Sequence, residues 1–442
     1  MPAIDVMSTL GRLDLVLYLH NNGAMATTNA MDYAGSFELI QFLHHNRTEG
    51  CTNKAMDWAA EHNMLESVKF LHYNRTEGCT PDAMDDAALN GHLEIIKFLH
   101  VNRTEGCTAI AMSFASRKGH LDIIEYLHHN RITVQFYSDT MSVAAQIGRL
   151  DIVKFLHYNR TEATSVWSMN LAADRGHLDV VEFLHTHRNE GCTTNAIDDA
   201  AGNGHLQVVR FLNESRTEGC TIKAMKEASH NGHLDVVQYL HALGKPCTSE
   251  AMDKAAEEGH LEVVKFLSIN RTEGCTHKAI DWAAKNGHLS VVEYLHRHRT
   301  EGFTANAILT AAEHGHMDVV RYLHERCQPV LNDNHSPMDC AAYGGHLAVF
   351  EYLQEHKIGR CTEQAMNLAA QKGHLDMVKY LHQHRTEGCT KLAMDDAAKR
   401  GHLDIVEFLH KNRTEGCTPE AFDFAARQGY LDVVKVPPLQ SH

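Results

Sequence analysis

The sequence predicts an all-α solenoid of stacked helix-turn-helix units, and three observations carry the prediction. A Phe/Tyr-Leu pair, usually followed by His, recurs with its aromatic at Tyr18, Phe42, Phe70, Phe98, Tyr126, Phe155, Phe183, Phe211, Tyr239, Phe266, Tyr294, Tyr322, Tyr352, Tyr380 and Phe408. The steps are 24 residues, then 28 with departures of 27, 29 and 30. A fixed period of this size marks an array in which each unit touches mainly its neighbours. Within a unit the apolar residues fall at the 3.6-residue spacing of short helices, and no stretch alternates convincingly at period 2.

The last units display each element. Thr418 is an N-cap residue and Pro419 fits the first helical position after it. Ala421, Phe422, Ala425 and Ala426 follow at helical spacing, and Gly429 is placed to end the first helix. Leu403, Ile405, Val406, Phe408 and Leu409 make the apolar stripe of a second helix, with Asp404 near its positive end. Arg413, Thr414, Glu415 and Gly416 lead to the next cap. The whole chain, 1–442, reads as one array of about fifteen full units. Incomplete units are expected at both ends, because Met1 starts close to a second helix and Pro437-Pro438 cuts the last one.

These residues resemble the ankyrin repeat, whose units run TPLHxAA, then GHLEVV. Ala425-Ala426, Gly429 and Leu431-Asp432-Val433-Val434 carry the likeness. Ser336-Pro337-Met338-Asp339-Cys340-Ala341-Ala342 with Gly345-His346-Leu347 matches almost position for position. Ankyrin repeats usually run 33 residues and include a β-turn finger. Most units here run 28, so the fingers are expected to be shortened or absent. The resemblance implies a non-enzymatic scaffold that binds a protein along a concave face lined by the first helices. About fifteen units at 8–10 Å each would give an arc on the order of 150 Å.

Composition narrows the partner. Lys and Arg number 41 against 56 Asp and Glu, a formal net charge of −15. An acidic balance argues against nucleic acid, since phosphate binding needs a basic face. No run approaches 18 apolar residues, so no membrane span is expected. The start shows no secretory signal, and a cytoplasmic location follows.

Most chemical signals reduce to repetition. Ten of the 12 cysteines occupy one repeat position, too far apart for disulfides between stacked helices. They read as reduced, inert thiols in an intracellular setting. Of 35 histidines, 23 sit either in Gly-His pairs or after Phe/Tyr-Leu. A row spaced by a whole repeat does not converge on one ion, and His314 with His316 lacks a third ligand. No metal site and no cofactor are therefore expected. Arg47, Arg75, Arg103, Arg271 and Arg413, each with Glu two residues later, read as a solvated, internally paired rim. No GxGxxG, P-loop, GxSxG or HExxH signature occurs, and no catalytic residue is assigned.

Recognition is expected where the type of residue varies at a fixed place in the unit. The position before the first Ala of the Ala-Ala pair reads Trp58, Asp86, Phe114, Val143, Leu171, Asp199, Glu227, Lys254, Trp282, Thr310, Cys340, Leu368, Asp396 and Phe424. Trp and Phe there suit interface anchors. The predicted partner-binding set is Trp58, Asp86, Phe114, Leu171, Asp199, Glu227, Lys254, Trp282, Leu368, Asp396 and Phe424. The preceding position is usually Asp (Asp57, Asp85, Asp198, Asp253, Asp281, Asp395, Asp423), which should make the same face acidic and favour a basic partner. Two irregular loops, 130–140 and 327–336, are further candidates. Alternative readings are a targeting arm of a larger multidomain protein, or a pH- or metal-responsive histidine array.

Overall fold

A computed structural model describes residues 2–130, 132, 140–159, 165–332 and 334–436. The described residues form helices in pairs, with no strand among them. Typical pairs are Lys54–Glu61 with Leu65–Asn74, and His277–Lys285 with Leu289–His298. The chain divides into two compact units, Met1–Ala200 with His205–Gly219, and Ala201–Gly204 with Cys220–His442. Within each unit the pairs stack in chain order, as the repeat predicted.

Helices of eight to ten residues are marginal alone, so burial holds them. In the first unit, Ala83, Met84, Ala87 and Ala88 of one first helix are buried beside Ile95, Ile96 and Leu99 of its second. The second unit repeats the arrangement with Ala279, Ile280, Ala283 and Ala284 against Val291, Val292 and Leu295. The small alanines let successive first helices pack closely along the row, while second helices touch each other less.

The turn inside each pair is where one repeat grips the next. Gly345 ends Pro337–Gly344 with φ +74°, and the backbone N–H of His346 donates to Ala341 O at 2.9 Å. The imidazole of His374, one repeat on, fills the space where a Cβ on Gly345 would sit. Its Nε2 donates to Tyr343 O at 3.1 Å. His92 to Glu61 O and His177 to Gln146 O repeat this bond in the first unit.

The second histidine row also faces the following repeat. His44 packs edge-on against Phe70, His72 against Phe98, and His382 against Phe408, with centroids 5.2–5.5 Å apart. Where the next aromatic is Tyr, its hydroxyl meets the ring nitrogen. His100 Nδ1 lies 3.0 Å from Tyr126 Oη, His296 Nδ1 3.0 Å from Tyr322 Oη, and His324 Nδ1 3.1 Å from Tyr352 Oη. Packing against the neighbour, rather than the helix dipole, places this row.

The aspartate row is a correction. Asp57 does not face a partner: its carboxylate accepts from Thr80 N at 2.8 Å and Thr80 Oγ1 at 3.0 Å, tying one first helix to the N-cap of the next. Asp85 holds Thr108 in this way, Asp253 holds Thr276 and Asp281 holds Thr304, while Asp395 accepts from Thr418 N. Asp85, Asp198, Asp253 and Asp281 are buried, and Asp423 alone of the seven is exposed. These aspartates therefore do not supply the acidic rim from which a basic partner was expected.

Asn170 ties to Thr193 with Oδ1 accepting from Thr193 N and Nδ2 donating to Thr193 Oγ1, and Asn367 ties to Thr390 likewise, so the tie needs no charge. Burial lifts the Asp57 carboxyl from its ordinary 3.8 to about 6. A folded value above the unfolded one means that its stabilising contribution is full below about pH 4 and is lost as pH rises through 6. Asp57→Asn should keep both bonds and gain about 1 kcal/mol over wild type above pH 6, with the difference vanishing near pH 4. Urea unfolding of the two proteins at these pH values checks it; a variant less stable at neutral pH would show that the charge itself is needed.

The irregular parts differ from expectation. The N-terminal unit is a pair rather than a lone second helix: Ala3–Thr9 carries Asp5, which accepts from Thr27 N and Oγ1. Residues 131 and 133–139 of the first irregular loop lie outside the described residues. In the second, the helix Met317–Tyr322 widens into a π-helical turn, Leu323–Cys327, and Gln328 takes φ +47°. Ser336 then caps Pro337–Gly344 and donates to Arg360 O. No finger of two strands forms among the described residues there.

Candidate functional site

The helical period puts the predicted recognition position opposite the buried Met and Ala residues, and its side chains line one face of each unit. In the first unit Trp58, Asp86, Phe114, Leu171 and Asp199 are half-buried. In the second, Glu227, Lys254, Trp282, Leu368 and Asp396 are half-buried and Phe424 is exposed. Each of these residues comes from a different first helix, so the row is assembled by stacking.

The aromatics of this row are framed by basic side chains. Trp282 carries Lys254 Nζ at 4.6 Å and Lys278 Nζ at 5.4 Å from its ring. Phe424 carries Lys399 and Arg427 at 5.0 and 6.0 Å, and Phe114 carries Arg117 at 6.0 Å. Trp58 instead stacks on His62 at 3.9 Å, with Tyr33 edge-on at 5.2 Å. Such rings offer flat apolar area held in place by neighbours.

The charged members are engaged within the protein. Asp396 accepts from Gln371 Nε2 at 2.9 Å, Lys254 pairs with Glu257 at 2.6 Å, and Glu227 lies 3.3 Å from Lys226. Burial and the neighbouring Glu61 and Asp82 raise the Asp86 carboxyl. Of the predicted set, the fold brings Lys254 and Trp282 into contact.

Trp282 also lines an open depression of about 490 Å³ between the helices His277–Lys285 and Asn306–Glu313. His277, Lys278, Lys285, Thr310 and His314 complete most of its wall.

A second apolar row was missed in the sequence. Tyr73, Val101 and Tyr158 in the first unit, and Ile269 in the second, stand 66–76% exposed near the ends of second helices. Their signal was an apolar residue just after the Phe/Tyr-Leu-x segment, where a helix end facing water should be polar.

The other chemical candidates are taken up by structure. The linker arginines are half-buried rather than solvated: Arg47 grips Glu49 and Arg271 grips Glu273, each at 2.6 Å with the Arg side chain 14% exposed. Arg75–Glu77, Arg103–Glu105 and Arg413–Glu415 repeat the fork. Burial pushes the thiols of Cys79, Cys107, Cys275 and Cys361 up to about 12, which leaves them protonated and poorly nucleophilic. His314 spends Nδ1 on Thr310 O at 2.9 Å. Among the described residues, His230, Glu257 and Glu258 bring three metal-type donors within 4.8 Å, but Lys254 already supplies a cation to Glu257. No described helix is long and apolar enough to cross a membrane.

Comparison with known proteins accounts for the architecture. No curated protein matches the chain. The family model described as ankyrin repeats (3 copies) matches residues 56–137, 141–226, 280–364 and 355–423, and a model of ankyrin repeats (many copies) matches 252–296. The chain is also similar to the crystal structure of the human ASB11 ankyrin repeat domain, at 19% identity, covering 42% of this chain and 98% of that one with a TM-score of 0.34. With the family models matching well over half of its length, and helix pairs of that kind stacked through both units, the chain belongs to the ankyrin-repeat family.

Proposed function

We propose that this chain is a non-catalytic scaffold that binds a partner protein along the face formed by its first helices. Ankyrin repeats are in general protein–protein interaction modules. The observation that carries the reading for this face is the contrast between positions. Residues that recur from unit to unit, the Asp–Thr ties, the Gly-His turns and the Arg–Glu forks, are spent on joining one repeat to the next. Trp58, Phe114, Trp282 and Phe424 stand beside them, partly open to solvent, at a position whose residue type varies along the array. Large rigid aromatics in that setting are the residue types on which interface energy concentrates. A reducing, cytoplasmic setting suits the row of protonated thiols.

The test is affinity capture from native lysate with wild type beside a variant carrying Trp58, Phe114, Trp282 and Phe424 changed to Ser, its fold checked by circular dichroism. Loss of the wild-type partner from the folded variant is the expected result. An unchanged set of captured proteins would sink the reading.

A further inference from the structure

The depression around Trp282 has a chemistry of its own. Lys278, Trp282 and Lys285 are spaced i, i+4 and i+7 on the helix His277–Lys285, so one face presents an indole plate between two ammonium groups. Neither lysine pairs with a carboxylate among the described residues. A third cation, Lys254, reaches the indole from the preceding repeat while holding Glu257. His277 and His314 also line the wall, and Asn306 and Thr310 add neutral polar groups. Two acids line the depression. Asp281 is spent: both its oxygens accept from Thr304, at 2.8 and 2.6 Å. Glu313 is the acid that remains.

We infer that this depression is a docking pocket for an acidic segment of the partner protein, with two carboxylates on Lys278 and Lys285 and an apolar side chain on Trp282. The inference rests on the proposed first-helix reading and gives the partner a sign opposite to the one that the aspartate row suggested. Charge complementarity selects the occupant. A basic segment would meet two unpaired lysines with one free acid to answer it, and like charges brought together at an interface oppose binding. Spacing narrows it further. Seven residues of helix separate the two lysines by about 10.5 Å. A polyproline II segment has three residues per turn and rises about 3.1 Å per residue. Acids at i and i+3 therefore share one face about 9.3 Å apart, within reach of flexible lysine arms, and the apolar residue between them stands on the adjoining edge, toward the indole, which is itself turned about 40° from Lys278 around the helix.

The test uses the full chain and fluorescein-labelled peptides read by anisotropy. The probe is Pro-Pro-Glu-Pro-Leu-Glu-Pro-Pro; the controls replace both Glu by Lys, or Leu by Gly. The expected result is that the Glu peptide binds, that the Lys peptide does not, and that Leu to Gly weakens binding. Lys278→Glu with Lys285→Glu should lose the Glu peptide by at least about tenfold and gain the Lys peptide. Circular dichroism of the charge-reversed variant checks that the gain comes from a folded chain. Trp282→Ala should weaken the Glu peptide with helix content unchanged. Equal binding of the Glu peptide to wild type and the charge-reversed variant, tighter binding of the Lys peptide to wild type, or no binding of either would overturn the inference. Any of these beside a capture that still depends on the first-helix aromatics overturns the acidic pocket alone; a capture indifferent to those aromatics overturns the broader reading.

Discussion

A variant in which Phe70, Phe98, Phe183, Phe266 and Phe408 are all changed to Tyr should unfold at a higher denaturant concentration than wild type. At each of these places a histidine of the preceding repeat meets the phenyl ring, and its Nδ1 is buried with no hydrogen-bond partner: His44, His72, His157, His241 and His382. Repeats whose next aromatic is Tyr126, Tyr322 or Tyr352 solve the problem with the phenol hydroxyl. An orphaned buried polar atom costs about 1–3 kcal/mol, and a new neutral hydrogen bond contributes about 1 kcal/mol. The sites lie at least a repeat apart, so the effects should add to several kcal/mol across the two units. The reciprocal changes, Tyr126→Phe, Tyr322→Phe and Tyr352→Phe, should each lose about 1 kcal/mol or more. Chemical unfolding followed by far-ultraviolet dichroism measures both sets; no gain from the first and no loss from the second would mean that the ring contact alone sets the stability.

The second large effect is expected at the turns. Gly345→Ala should cost about 2–4 kcal/mol, because two penalties coincide. The backbone there has φ +74°, and a Cβ would lie 2.5 Å from the His374 ring. Gly429→Ala separates them: its φ is +82° but nothing lies within 4 Å of the added carbon, so about 1 kcal/mol is expected. His374→Ala alone loses the bond to Tyr343 O, so Gly345→Ala is repeated in that background, where it should cost only the backbone part. Unfolding midpoints of the four variants test this. Equal costs at Gly345 and Gly429 would show that the imidazole yields freely and does not lock the repeats.

The fold was readable because its causes are local and recur. Ala-Ala pairs, the Gly after them and the Ile/Val pairs of the second helices each state a helix, an end or a buried stripe within one unit. What the sequence hid is contact between units. Asp57 was read as a face because its partner, Thr80, lies 23 residues downstream, and periodicity does not say which neighbour a side chain addresses. The histidines after Phe/Tyr-Leu are hidden in the same way: their partners are the aromatics one repeat on. The proposed recognition row shows in the sequence as a variable position, and the structure adds what frames it: lysine and arginine beside Trp282, Phe114 and Phe424.

The histidine-array alternative takes a definite form here. Burial holds His44 and His157 below the usual 6.5, so the unfolded chain binds more protons than the folded one in that range. Their stabilising contribution is full above pH 6.5 and falls on acidification. Raised carboxyls such as Asp253 and Asp281 act in the opposite direction.

The central claim is that the first-helix row, and not the more exposed row on the second helices, meets the partner. The direct measurement compares partner affinity for two folded variants. One carries Trp58, Phe114, Trp282 and Phe424 as Ser; the other carries Tyr73, Val101, Tyr158 and Ile269 as Ser. The first should lose at least about tenfold, a little over 1 kcal/mol, and the second should bind as wild type does. The reverse pattern would place the interface on the second helices and contradict the account.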